Sequence, residues 1–144
     1  MGNLREVILL VATVCVSVMN ANASRAEGDY WDPEARAKIK TVDDALALLV
    51  PELRKNLPMK VDEITTWLAI QALGPAVLYT YSFDLPKQDI EAIAGDLKNV
   101  TTQNACNNKT WRMFLDAGAR QRHLYVDESG LHAVQFDIDS NSCK

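Results

Sequence analysis

Hydrophobic and polar positions change period several times along this chain, and each change marks an element. An unbroken apolar run, Val7–Met19, comes first, behind Arg5 and ahead of the small residues Ala21-Asn22-Ala23. Residues 24–40 are mostly polar and read as an exposed lead-in, in which Trp31 could still dock on the body. Thr41-Val-Asp-Asp44 has the form of a capping box, and Leu46, Leu49, Val50, Leu53 and Leu57 follow at helical spacing. Pro51 inside that stripe should kink or restart the helix, and Leu57-Pro58 should end it.

From Met59 the period falls to two. Ile64, Thr66, Leu68, Ile70 and Ala72 share one side of an extended segment. Gly74-Pro75 is a turn signal, after which Val77, Tyr79, Tyr81 and Phe83 alternate with Leu78, Thr80 and Ser82. Helical spacing returns behind Pro86 with Ile90, Ile93, Ala94 and Leu97. Thr101 to Cys106 then bridges to a shorter helix with Trp111, Phe114 and Leu115 on its apolar side, stopped by Gly118. A last hairpin alternates Leu124 and Val126 with His132, Val134, Phe136 and Ile138. A three-residue loop, Glu128-Ser129-Gly130, pairs Asp127 with Leu131, sets Val126 opposite His132 and Leu124 opposite Val134, and gathers the apolar residues on one face.

The predicted order is α-β-β-α-α-β-β. Short connections imply antiparallel pairing within each hairpin. The economical fold is α+β: a four-stranded antiparallel sheet of two hairpins with helices packed mainly on one face. Residues 41–144 form the predicted domain.

The opening run changes the cysteine arithmetic. Its basic start, apolar core and small-residue end match a secretory signal peptide over residues 1–23, too short for a comfortable bilayer span. Cleavage there discards Cys15 of the three cysteines and leaves Cys106 and Cys143 in an oxidising compartment, periplasmic or extracellular. Those two are read as one disulfide, for which chain entropy gives about 4 kcal/mol of stabilisation. The charge balance of −4 argues against a general nucleic-acid binder and gives no reason to expect attraction to anionic lipid. No later segment is apolar enough for a membrane span.

Candidate chemistry is sparse. His123 and His132 are the only histidines, and the chosen register points them to opposite faces, which disfavours a shared metal or a relay. His123 reads as a solvated strand residue and His132 as a sheet-end residue. Asp137-Ile-Asp139-Ser-Asn141 opens like a calcium loop, but Ser142 stands where that loop needs glycine and no later glutamate closes it. Asp127-Glu128-Ser129-Gly130 suits a turn, and Asp62, Glu63, Asp84 and Asp96 sit at element boundaries. Asn99-Val-Thr101 and Asn108-Lys-Thr110 match the short N-glycosylation pattern, which arises often by chance. No phosphate loop or nucleophile motif is present, so no catalytic, metal or cofactor residue is assigned. A sheet with one open face would leave aromatics exposed, making Trp67, Tyr79 and Tyr81, with nearby Arg120 and Arg122, a candidate surface for a protein partner.

The layout Val61-Asp62-x-x-Thr65, Tyr79-Thr80-Tyr81, Cys106, Gly118-x-Arg120-x-x-x-x-Tyr125, Asp127-x-x-Gly130 and Cys143 resembles small exported bacterial proteins of unknown function. Among these it loosely resembles the quorum-sensing-regulated virulence factor family, over residues 40–144. The resemblance implies a secreted or periplasmic α/β domain with one disulfide and carries over no catalytic residue. The sequence thus points to a small exported protein that binds a macromolecule, as an inhibitor, immunity protein, virulence factor or envelope accessory. Two alternatives stand beside it: a small hydrolase using carboxylates with His123 or His132, and a carrier of a small apolar ligand.

Overall fold

The computed structural model describes residues 39–144; the predicted signal peptide and most of the lead-in, Trp31 included, lie outside the described residues. Helix α1 (Val42–Arg54) starts as expected. Thr41 Oγ1 accepts from the Asp44 amide, and the Asp44 carboxylate accepts from the Thr41 amide. The helix runs through Pro51 without ending. Pro51 is exposed, and so is Ala47, whose carbonyl loses its amide partner on the solvent side of the helix. Leu46 and Val50 are buried on the other side.

The chain then makes a five-stranded sheet in the order β1-β2-β3-β4-β5. The strands are β1 (Met59–Lys60), β2 (Thr65–Leu73), β3 (Ala76–Phe83), β4 (Arg120–Val126) and β5 (His132–Ile138). Between β3 and β4 come α2 (Lys87–Ala92), α3 (Ala94–Asn107) and α4 (Lys109–Asp116), and a 3₁₀ turn (Ser140–Cys143) closes the chain. The four-stranded antiparallel expectation is therefore corrected twice. A short edge strand, β1, joins the sheet, and β3 pairs with β4 in parallel. Hairpin logic fixes direction only inside each hairpin. The three helices between β3 and β4 form a crossover long enough to return the chain to the same end of the sheet. Ile93, at φ −103°, divides the anticipated single helix into α2 and α3, while Ile90, Ile93 and Leu97 all stay buried. Helix α3 extends through the segment expected to be a bridge.

Two bulges reset the alternation. One lies between Trp67 and Ala69 in β2, so Thr65, Trp67 and Ile70 face the helices, and not the Ile64-Thr66-Leu68-Ile70 set that strict alternation predicts. The other falls in the last hairpin. Asp127 does pair with Leu131 across a loop containing Gly130 at φ +81°, and Val126 does face His132, but Leu124 then faces Gln135 and Tyr125 faces Val134. The covered face of β4 is consequently Gln121, His123 and Tyr125.

That face carries an aromatic ladder across the sheet. The Tyr79 ring lies parallel to that of His123 at 4.8 Å, and His123 stacks on Phe136 at 5.5 Å. One layer along, Tyr81 stacks on Tyr125 at 5.2 Å. Trp67 flanks both tyrosines, and Trp111 of α4 meets Tyr79 edge-on. Offset stacks of this kind add about 1 kcal/mol each beyond area burial. Cys106 of α3 and Cys143 of the closing turn are joined by a disulfide, which ties the chain's end to the crossover. No helix among the described residues is long and apolar enough to cross a membrane.

Candidate functional site

The aromatics named as a docking surface are core. Trp67, Tyr79 and Tyr81 are 3 %, 0 % and 2 % exposed, which corrects that assignment. The β2 bulge turns Trp67 to the same side as the tyrosines, and the helices cover that side. Arg122 sits on the opposite face and is engaged: its Nε and Nη2 donate to the two Asp137 oxygens at 2.7 and 2.9 Å. This pairing holds the Asp137 carboxyl below the usual carboxylate range. Arg120 is exposed at the start of β4. The structure therefore brings Trp67, Tyr79 and Tyr81 together inside the molecule and leaves both arginines outside.

His123 is also corrected, from solvated to buried. Its Nε2 lies 3.1 Å from Gln121 Oε1, while its Nδ1 and the Tyr79 hydroxyl are buried without a hydrogen-bond partner. Burial pushes the imidazole down to about 3, so it is neutral at physiological pH. His132 is exposed on the end of β5. A hydrolase would need one histidine within hydrogen-bond reach of an acid. That pairing is not formed by either histidine among the described residues. The carboxylates near the turns have local work instead. Asp127 Oδ1 accepts from the Ser129 amide and hydroxyl and from the Leu131 amide, which lowers its pKa. Asp62 Oδ1 accepts from the Ile64 and Thr65 amides, and Asp139 caps the closing 3₁₀ turn through Ser142. No cluster of metal-ligating side chains occurs among the described residues. The aromatic ladder belongs to the buried core cluster.

An open groove of about 570 Å³ is lined by Arg54, Leu57 and residues Leu68 to Ala72. Five consecutive strand residues in one lining mean that the groove follows the edge of β2 and does not lie over a single face. Its walls follow from local sequence. Pro58 has no N–H and precedes Met59, so β1 cannot extend past its pairing with Thr66 and Trp67. Beyond that point the β2 edge is left to α1. The N-terminal end of α1 stands at the β2–β3 turn, where Asp43 Oδ2 lies 3.5 Å from the position of a Cβ on Gly74. At the other end, Arg54 Nε donates to the Ile70 carbonyl at 3.2 Å. Helix α1 thus runs antiparallel to β2, and its last turn leans over the open edge. Leu68, at 38 % exposed, supplies an apolar rim. Arg54 makes no ion pair among the described residues, and no carboxylate lines the groove. The signal that could have marked this place is Leu57-Pro58, which stops β1 and not only the helix.

No protein-family model matches the chain, and no curated protein matches it in sequence. Its fold is similar to that of a candidate secreted protein of Pseudomonas aeruginosa, with a TM-score of 0.66 at 14 % identity over 72 % of this chain and 93 % of that one. It is similar to EpsS, a pilotin of the Vibrio vulnificus type II secretion system, with a TM-score of 0.61 at 15 % identity over 78 % and 98 %. It is also similar to AspS, a type II secretion pilotin of Vibrio cholerae, with a TM-score of 0.54 at 17 % identity over 71 % and 92 %. At these identities the likeness shows a shared fold. The virulence-factor resemblance gains no support from a family model.

Proposed function

We propose that this chain is an exported accessory of the cell envelope that binds a protein partner through the groove between α1 and the edge of β2. The observation that carries the reading is the groove itself. It joins an apolar rim to a guanidinium that makes no ion pair among the described residues, whereas Trp67, Tyr79, Tyr81 and His123 are buried and Arg122 is paired with Asp137. The fold likeness supports it, since two of the similar structures are pilotins and nearly their whole length is matched. Export rests on residues 1–23 as a cleaved signal peptide, with residues 41–144 as the mature domain. Type II secretion apparatus is the envelope setting those neighbours suggest.

The test is site-specific photocrosslinking in the native host at native expression. A photoreactive residue at Leu68 should give a discrete adduct in the exported fraction, and one at Leu131, exposed in the β4–β5 loop, should not. No adduct from Leu68, or equal adducts from both positions, would refute the assignment.

A further inference from the structure

The side chains of the groove define a ligand by their chemistry. Among the described residues Arg54 and Gln71 are exposed, and Leu68 is 38 % exposed. Ala69 and Ala72 contribute only methyl groups to the lining, beside the longer Leu57 and Leu68. Arg54 Nε is spent on the Ile70 carbonyl, and the guanidinium makes no ion pair among the described residues. An apolar ring with a carboxylate next to it matches such a lining.

The chain itself carries that chemistry just ahead of the described residues. Glu27-Gly-Asp-Tyr-Trp-Asp-Pro-Glu34 sets two aromatic rings among four carboxylates, with no basic residue between them. Its distance from the groove is also right. Ile39 packs on the core immediately before α1. From there α1, 13 residues long, runs about 20 Å to Arg54. Trp31 stands eight residues before Ile39, a stretch that spans up to about 26 Å when extended. A lead-in that turns back along α1 therefore reaches the groove.

We propose that the groove seats this chain's own Asp29–Asp32 segment. Trp31 covers Leu57 and Leu68, and the Asp32 carboxylate accepts from the terminal guanidinium nitrogens of Arg54. The charge match selects this segment, since Arg54 is the one charged residue of the lining. The seated segment occupies the surface assigned to the partner, so the chain carries its own competitor. That competition rests on the partner-binding reading above; the docking does not.

The test places a benzophenone side chain at Leu68 in the purified, exported, disulfide-bonded protein. After irradiation, trypsin should release an adduct of the Ala26–Arg36 peptide with the Val61–Lys87 peptide. An equal mixture of ¹⁴N and ¹⁵N protein should show both peptides coming from one copy. Trp31→Ser should lower the yield about tenfold, as loss of a buried ring requires. Arg54→Glu should lower it about threefold, the scale of a partly exposed ion pair. The same probe at Leu131 should not give this adduct. No Ala26–Arg36 adduct from Leu68, adducts between copies, an equal yield from Leu131, or a yield unchanged by Trp31→Ser would overturn the docking. In the native host, Trp31→Ser should raise the yield of the Leu68 adduct with the partner. An unchanged partner adduct overturns the competition alone. If neither chain gives a partner adduct, partner binding itself fails, while the internal adduct still decides the docking.

Discussion

His123 should make this fold acid-sensitive in a pH range where its carboxylates are still ionised. The imidazole is buried between Tyr79 and Phe136, with Gln121 as its hydrogen-bond partner, and its pKa falls to about 3. In the unfolded chain it titrates near 6.5. Above pH 6.5 both states are neutral and the group leaves stability unchanged. Below that value the unfolded chain gains a proton that the folded one refuses, at about 1.4 kcal/mol per pH unit. The loss reaches about 3 kcal/mol at pH 4.5 and about 5 kcal/mol near pH 3, where the folded form titrates too. Full burial leaves little room for solvent screening. His123→Phe keeps a ring in the ladder and removes the titration. It strips Gln121 of its partner, but Gln121 does not ionise, so that cost is independent of pH. Urea unfolding at pH steps from 7.5 to 4.5 checks the difference between wild type and variant, in which the acid titration of Asp127, Asp137 and Asp139 largely cancels. A difference that stays flat across that range would refute the burial argument.

Further outcomes follow from single observations. Tyr79→Phe removes a buried hydroxyl without a hydrogen-bond partner and should raise stability by about 1 kcal/mol in thermal or urea unfolding. Replacing Cys106 and Cys143 together by alanine should cost up to about 4 kcal/mol, read as a lower urea midpoint. Pro51→Ala restores the amide bond to Ala47 on the exposed face of α1 and should stabilise by about 2 kcal/mol, with no loss of helical circular dichroism. Asp137→Asn breaks a half-exposed ion pair and should cost less than about 1 kcal/mol at pH 7, shrinking further in high salt.

Local chemistry was legible wherever one residue type decides it. The Thr41 capping box, the Gly130 loop with Asp127 opposite Leu131, and the tyrosine stripe of β3 are all in place. Facing was legible only until a bulge intervened. A bulge adds one residue to one strand and reverses the parity of everything beyond it, and no alternation rule announces where it falls. In β2 this turned Trp67 inward and sent Leu68 to the rim. In β4 both parities offer plausible cores, Leu124 with Val126 or His123 with Tyr125. The aliphatic pair looks the more hydrophobic on its own. The decision lies on neighbouring strands: His123 meets Tyr79 and Phe136 in register, and Tyr125 meets Tyr81. A neutral imidazole inside that ladder gains stacking on both faces, a gain that no single-strand reading contains.

The same logic explains why the candidate site moved. Exposed aromatics were inferred from the idea that one sheet face stays bare, and aromatics are the costliest residues to leave there. The fold instead spends them on its covered face, and its groove runs along the edge of β2. Such a groove is invisible in composition. It depends on where Pro58 ends β1 and on Arg54 reaching the Ile70 carbonyl. Specificity would then be carried by Arg54 and the Leu57–Leu68 rim. Exchanging Leu68 for lysine should therefore weaken partner capture while leaving the fold's stability within about 0.5 kcal/mol, since that side chain lies on the rim and outside the core.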